Sequence, residues 1–151
     1  MIVRKSLPLA ILLMVACQQA GARPHDPCSL MTLDDAKSLI GADAKRDPDA
    51  APGFTTKDAT CWYEAGPKGN YDHAFLIVED ASGKTWLAFK DRKDTKKIDG
   101  LGDEAYFMDD SDTLWMRKGT TILIIEAYRK EKAGDQKSME EGFARKALTR
   151  L

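Results

Sequence analysis

The chain reads as an α+β domain, with a mostly antiparallel sheet of about five to six strands between a short N-terminal helix and an amphipathic C-terminal helix. Three observations predict this class. Strand-like runs are grouped between Thr60 and Tyr128 instead of alternating with helices, as βαβ units would require. Helical periodicity is confined to the two ends, at 33–40 and 139–151. The run Ile122-Leu123-Ile124-Ile125 is apolar on both faces of its strand, so it belongs at the centre with cover on both sides, and the two terminal helices are the natural cover.

The first helix is well punctuated. Thr32 suits the N-cap, Asp34 and Asp35 complement the helix dipole, Leu33, Ala36, Leu39 and Ile40 recur at helical spacing, and Gly41 supplies the stop. Residues 42–59, rich in Asp, Pro, Ala and Lys, read as a connecting loop. Strands are then expected at 61–64, 73–79 and 85–89, with Asp80 to Lys84 as a hairpin loop between the last two. Further strands follow at 105–108, 112–117 and 120–128, so that Trp62, Trp86 and Trp115 all fall in expected strands, as core or sheet-face residues ahead of a ligand-stacking role. In the last element Ser138 and Glu141 form a capping-box pair, and Met139, Phe143, Ala147 and Leu151 line one face.

The first 22 residues read as a processing segment. Arg4 and Lys5 precede the ten uncharged residues Leu7 to Ala16, a length that fits a signal-peptide core, whereas a membrane-spanning helix needs about 20. Two cleavage sites compete. Leu13-Met14-Val15-Ala16-Cys17 resembles a bacterial lipobox, which would make Cys17 the lipidated first residue, and Gln18 after it implies outer-membrane sorting by resemblance to enterobacterial lipoproteins. Ala20-Gly21-Ala22 would instead release a soluble periplasmic chain. The lipoprotein is the preferred reading, and in it acyl chains on Cys17 would anchor the protein stably. Residues 18–27 then serve as a tether, and 28–151 as one α+β domain, a size normal for a single folding unit.

Either cut leaves Cys28 and Cys61 as an even pair in an oxidising compartment, so a disulfide between them is expected, with buried thiols or an intermolecular bond as alternatives. Closing that loop is worth roughly 3–4 kcal/mol in the chain-entropy account. Twenty-three basic residues against 24 acidic ones, a net charge of −1, argue against nucleic acid as partner.

Catalytic and cofactor motifs are missing. There is no nucleophile elbow, P-loop or dinucleotide fingerprint. The only histidines are His25 in the tether and His73 at a strand start, so neither a zinc centre nor a catalytic triad is singled out, and no cofactor or metal is expected. Asp109, Asp110 and Asp112 crowd one turn; they lack the EF-hand pattern and read as a solvated loop or as a candidate partner-binding loop. Lys90 to Lys97 holds five basic and two acidic residues, which could attract an anionic partner but has the make-up of an exposed loop. Gly100 and Gly102 permit positive φ and read as a tight loop leading into the next strand, or less readily as a small anion nest.

Cys28-Ser29-Leu30-Met31-Thr32, Cys61-Trp62-Tyr63, Gly100-Leu101-Gly102-Asp103-Glu104-Ala105-Tyr106 and Ala144-Arg145-Lys146-Ala147-Leu148 occur in that order over residues 27–151. The set resembles a family of small exported bacterial domains, many of them lipoproteins, of unknown function. The resemblance implies a secreted, disulfide-containing α+β domain and no catalytic residues. The expectation is a non-enzymatic envelope binding protein whose partner is an envelope protein or wall component, in one version an inhibitor or immunity protein with Asp109–Asp112 as its plug. The alternative is a wall-directed enzyme that uses carboxylates.

Overall fold

The structure, a computed structural model, describes residues 25–151 apart from Phe54, Lys57, Asp58, 68–70, Ser82, Gly83 and Ala133. Cys17 and the leader lie outside the described residues. A four-residue helix α1 (Pro27–Leu30) and α2 (Leu33–Ile40) come first, then strands β1 (Lys45–Arg46), β2 (Thr60–Ala65) and β3 (Asp72–Asp80). Helix α3 (Lys84–Lys90) follows, then β4 (Thr95–Lys97), β5 (Glu104–Met108), β6 (Thr113–Lys118), β7 (Thr121–Tyr128) and α4 (Gln136–Leu148). The strands form one antiparallel sheet in the order β1-β2-β3-β7-β6-β5-β4.

The α+β class with terminal helices is therefore observed, with seven strands in place of five or six. The two additions, β1 and β4, are two and three residues of exposed or half-exposed polar chain at the sheet edges. Edge strands are commonly short and charged, which removes the alternation that marks a strand in sequence. β7 is central, as its apolar run predicts, paired with β3 from His73 opposite Tyr128 to Asp80 opposite Thr121, and with β6 on its other side.

The cover differs from expectation. The pleat sends Leu76, Leu114, Met116, Leu123 and Ile125 to one face, where they pack with Leu30, Leu39 and Ile40 from the first helices and Phe143, Ala144 and Ala147 from α4. Both terminal helices thus lie on the same face. The opposite face carries Phe75, Ile77, Trp115, Ile122 and Ile124, and its helical cover is α3 through Trp86 and Phe89. Residues 85–89, expected as a strand after a hairpin, belong to this helix, and Trp86 is accordingly helical. β3 lies inside the sheet and β4 at its far edge, so the chain must cross a face between them, and a helix crosses while satisfying its own backbone groups. In so short an apolar run, periodicity does not separate helix from strand.

Caps and clasps fasten the helix layer. Thr32 and Asp35 form a full capping box on α2, and Gly41 ends it at φ 128°. Cys28 and Cys61 are joined by a disulfide, and the Tyr63 hydroxyl donates to the Met31 carbonyl at 3.0 Å beside it. Asp35 is buried and receives Lys146 from the last turn of α4 and Arg150 just beyond it, the latter at 2.5 Å. Burial pushes its carboxyl up, but the hydrogen bonds from Arg150, Lys146 and Thr32 outweigh that and hold it well below the usual carboxylate range.

The expected capping box of α4 is absent. The helix starts three residues earlier, at Gln136, and Glu141 instead faces Lys137 and Arg145 one turn away on either side. Its most buried stripe is Gln136, Glu140, Phe143, Ala144 and Ala147. Glu140 is fully buried: one oxygen accepts from the Ala127 N–H at 3.0 Å and the other has no hydrogen-bond partner. Burial, with smaller contributions from the Glu126 and Asp112 charges, pushes its carboxyl up to about 9. The glycine loop behaves as read. Gly100 and Gly102 have φ of 71° and 63°, and a Cβ on Gly102 would come within 2.6 Å of the Arg117 carbonyl oxygen. Asp103 accepts from the Gly119 N–H at 2.7 Å and from Lys118, so its charge is spent on the β6–β7 turn.

Candidate functional site

The face under α3 is built by alternation. On β7, Ile122, Ile124, Glu126 and Tyr128 share the side opposite the terminal helices, and Trp62, His73, Phe75, Trp115 and Met108 bring their strands' side chains to the same side. α3 covers only part of it. Trp86 packs near Tyr106 with ring centroids 5.9 Å apart, and Phe89 lies on Trp115 at 3.6 Å. Beyond Phe89 a cavity of about 200 Å³ opens. Its floor is Phe89, Met108, Trp115 and Ile124; its rim is Arg92, Asp110, Ser111, Thr113 and Glu126. The Trp115 indole N–H is directed at the Thr113 hydroxyl at 3.3 Å, and that hydroxyl also meets Ser111 at 2.7 Å.

The acidic turn forms one wall. Asp110 pairs with Arg92, which also binds Asp94 at 2.5 Å, and Asp109 pairs with Lys96 at 2.5 Å. The hydrogen bonds from Arg92 hold Asp94 down to about 2. Asp112 occupies the left-handed region at φ 47°, a conformation that Asp tolerates better than most side chains. The structure therefore brings the acidic turn and the basic Lys90–Lys97 segment, read separately in the sequence, together as partners. Two of the three candidate aspartates are tied to cations of the same chain, and Asp110 lines a cavity wall.

Next to the cavity runs an aromatic row. Trp62 stacks on His73 at 5.3 Å and on Phe75 at 5.1 Å, His73 stacks on Tyr128 at 5.5 Å, and Tyr71 meets His73 edge-on. These separations match the spacing of neighbouring strands, so the rings cover one another's faces instead of offering a flat platform. His73 lies between Trp62 and Tyr128, and its Nε2 meets a Glu126 oxygen at 2.7 Å. Glu126 joins the row to the cavity.

Reading the sequence missed Phe89, Arg92 and Glu126 as site residues. One signal for Glu126 was present, because it is the single charge in the apolar stretch Ile122 to Ala127 and shares the parity of Ile122 and Ile124. No signal tied Arg92 to Asp110, 18 residues away. Among the described residues no three His, Cys, Asp or Glu side chains converge as a metal-holding group, and no helix is long and apolar enough to cross a membrane. Set against known proteins, the chain matches no family model, no curated protein and no solved structure.

Proposed function

We propose that this chain is a cell-envelope binding protein, anchored through a lipidated Cys17 or free in the periplasm, that engages an envelope protein or wall component on the sheet face α3 leaves open. One observation carries the reading. The terminal helices close one face of the sheet, whereas the other keeps a cavity with an aromatic floor and a polar rim, the usual make-up of a binding site. The only exposed large hydrophobic side chain among the described residues is Leu33, so a concave site is favoured over a flat apolar patch. In this reading Asp110 and Ser111 of the acidic turn contribute to the rim of the site. An inhibitory role would then work by accepting a partner's side chain into the cavity.

The enzyme alternative has one supporting observation, the His73–Glu126 pair beside the cavity. A His73→Ala variant that keeps any wall-degrading activity removes it.

A photo-reactive amino acid placed at Ser111, on the rim, is expected to give a discrete adduct in envelope preparations, and the same probe at Leu33, on the far face, none. No adduct from position 111 counts against the proposal. Intact mass of the mature protein distinguishes an acylated Cys17 from a chain starting at Arg23.

A further inference from the structure

We infer that the cavity beside α3 takes a small amphipathic amine, with an apolar body about the size of one aromatic side chain inside and a positive charge held at the rim beside Glu126 and Asp110. The inference rests on the binding reading above and names the chemistry the site selects. The floor residues Phe89, Met108, Trp115 and Ile124 offer one hydrogen-bonding group, the Trp115 indole N–H, and Thr113 already occupies it. A body that fills this floor must be apolar to gain from leaving water. A volume of about 200 Å³ admits one ring or branched aliphatic group and is too small for a disaccharide or a folded segment.

The charge at the mouth sets the sign. Among the described residues Arg92 is the sole cation lining the cavity, and it is shared between Asp94 and Asp110. Glu126 adds a second carboxylate to the lining, about one-fifth exposed, whose hydrogen-bond partner among the described residues is His73. The lining therefore carries two carboxylates, Asp110 and Glu126, against one guanidinium that Asp94 also engages, with Asp112 close by in the same turn and Lys96 engaged by Asp109. A ligand ammonium at this rim gains a charge-assisted hydrogen bond from Glu126 or Asp110, while a ligand carboxylate meets like charge. The faces of Phe89 and Trp115 also attract cations, and Arg92 already lies 5.8 Å over the Phe89 ring.

The test titrates the oxidised domain with phenethylamine, 2-phenylethanol and phenylacetate, three probes sharing a ring and differing in charge, followed by NMR at the Trp115 indole N–H and the Met108 and Ile124 methyls. Saturable shifts at these positions are expected, with the amine binding about fivefold more tightly than the alcohol and the acid weakest. Glu126→Gln, which preserves size and a hydrogen bond to His73, should remove most of the amine's advantage and leave the alcohol unchanged. Asp110→Asn, on the exposed turn, should give a smaller loss of the same kind. Phenylacetate binding as well as the amine, an amine advantage that survives both substitutions, or no saturable shift at the floor overturns the inference. An adduct at position 111 without amine binding overturns the ligand class and leaves the binding reading standing. Amine binding without an adduct does the reverse.

Discussion

The two faces of the sheet are built from the same strands and alternate residues, yet they are finished differently. The face under α1, α2 and α4 is closed by aliphatic packing, a disulfide and two buried carboxyl groups, Asp35 and Glu140, bonded across it. The other is rich in aromatic rings, receives one seven-residue helix and keeps a cavity beside it. A domain of this size needs one well-filled core for stability, and once one face supplies it the second can stay partly open. The difference gives the first face the larger part in stability and fits the recognition role proposed for the second, and each assignment can be broken separately.

The largest effect is expected at Phe143, buried where α4 meets the sheet. Phe143→Ala should cost about 3–5 kcal/mol by removing a buried ring and leaving a void. Denaturant melts measure this, and a loss under about 1 kcal/mol would contradict the assignment of stability to this face.

The buried acids sharpen the contrast next, because they act in opposite directions. Asp35, held below its ordinary range, stabilises the fold above about pH 3.8, and that contribution is lost as the pH falls further. Glu140 is raised from 4.5 to about 9, so it remains neutral in the folded chain while the unfolded chain ionises. Its contribution is complete below pH 4.5 and is lost as the pH rises toward 9. Glu140→Gln keeps an acceptor for the Ala127 N–H and cannot ionise. It should gain about 2–3 kcal/mol on the wild type between pH 4.5 and 7. Melts at pH 5, 7 and 9 check this; parallel curves for the two proteins would mean that Glu140 is ionised in the folded state.

The smallest effect belongs to the open face. Phe89 is half-buried and contacts Trp115 from one side, so Phe89→Ala should cost only about 1–2 kcal/mol. The same change should alter Trp115 fluorescence and enlarge the cavity. A cost as large as that of Phe143→Ala would show that α3 is core and not cover.

Much of the fold was legible where one segment's own pattern decides the outcome. Thr32 with Asp35 before Leu39 and Ile40 marked a helix start, Ile122 to Ile125 marked the central strand, and Cys28 with Cys61, the even pair left under an expectation of export, marked the disulfide. The site was legible only in pieces: Asp109 to Asp112 and Lys90 to Lys97 stood out as charge clusters, but their pairing across the sheet edge did not. Ser138 and Glu141 matched a capping pattern that α4 does not use, because Gln136 and Lys137 are good helix formers and extend the helix past it.

By itself, then, the order of residues determined the class of fold, the helix starts that carry their own caps and the central place of β7, since backbone propensity, capping and alternation act over a few neighbours. Which face each helix covers, whether 84–90 coils or extends, and that Arg92, Asp110 and Glu126 surround one aromatic cavity were decided only by the tertiary structure. Those outcomes depend on strand order, which brings residues far apart in the chain into contact through packing and charge pairing that no local pattern encodes.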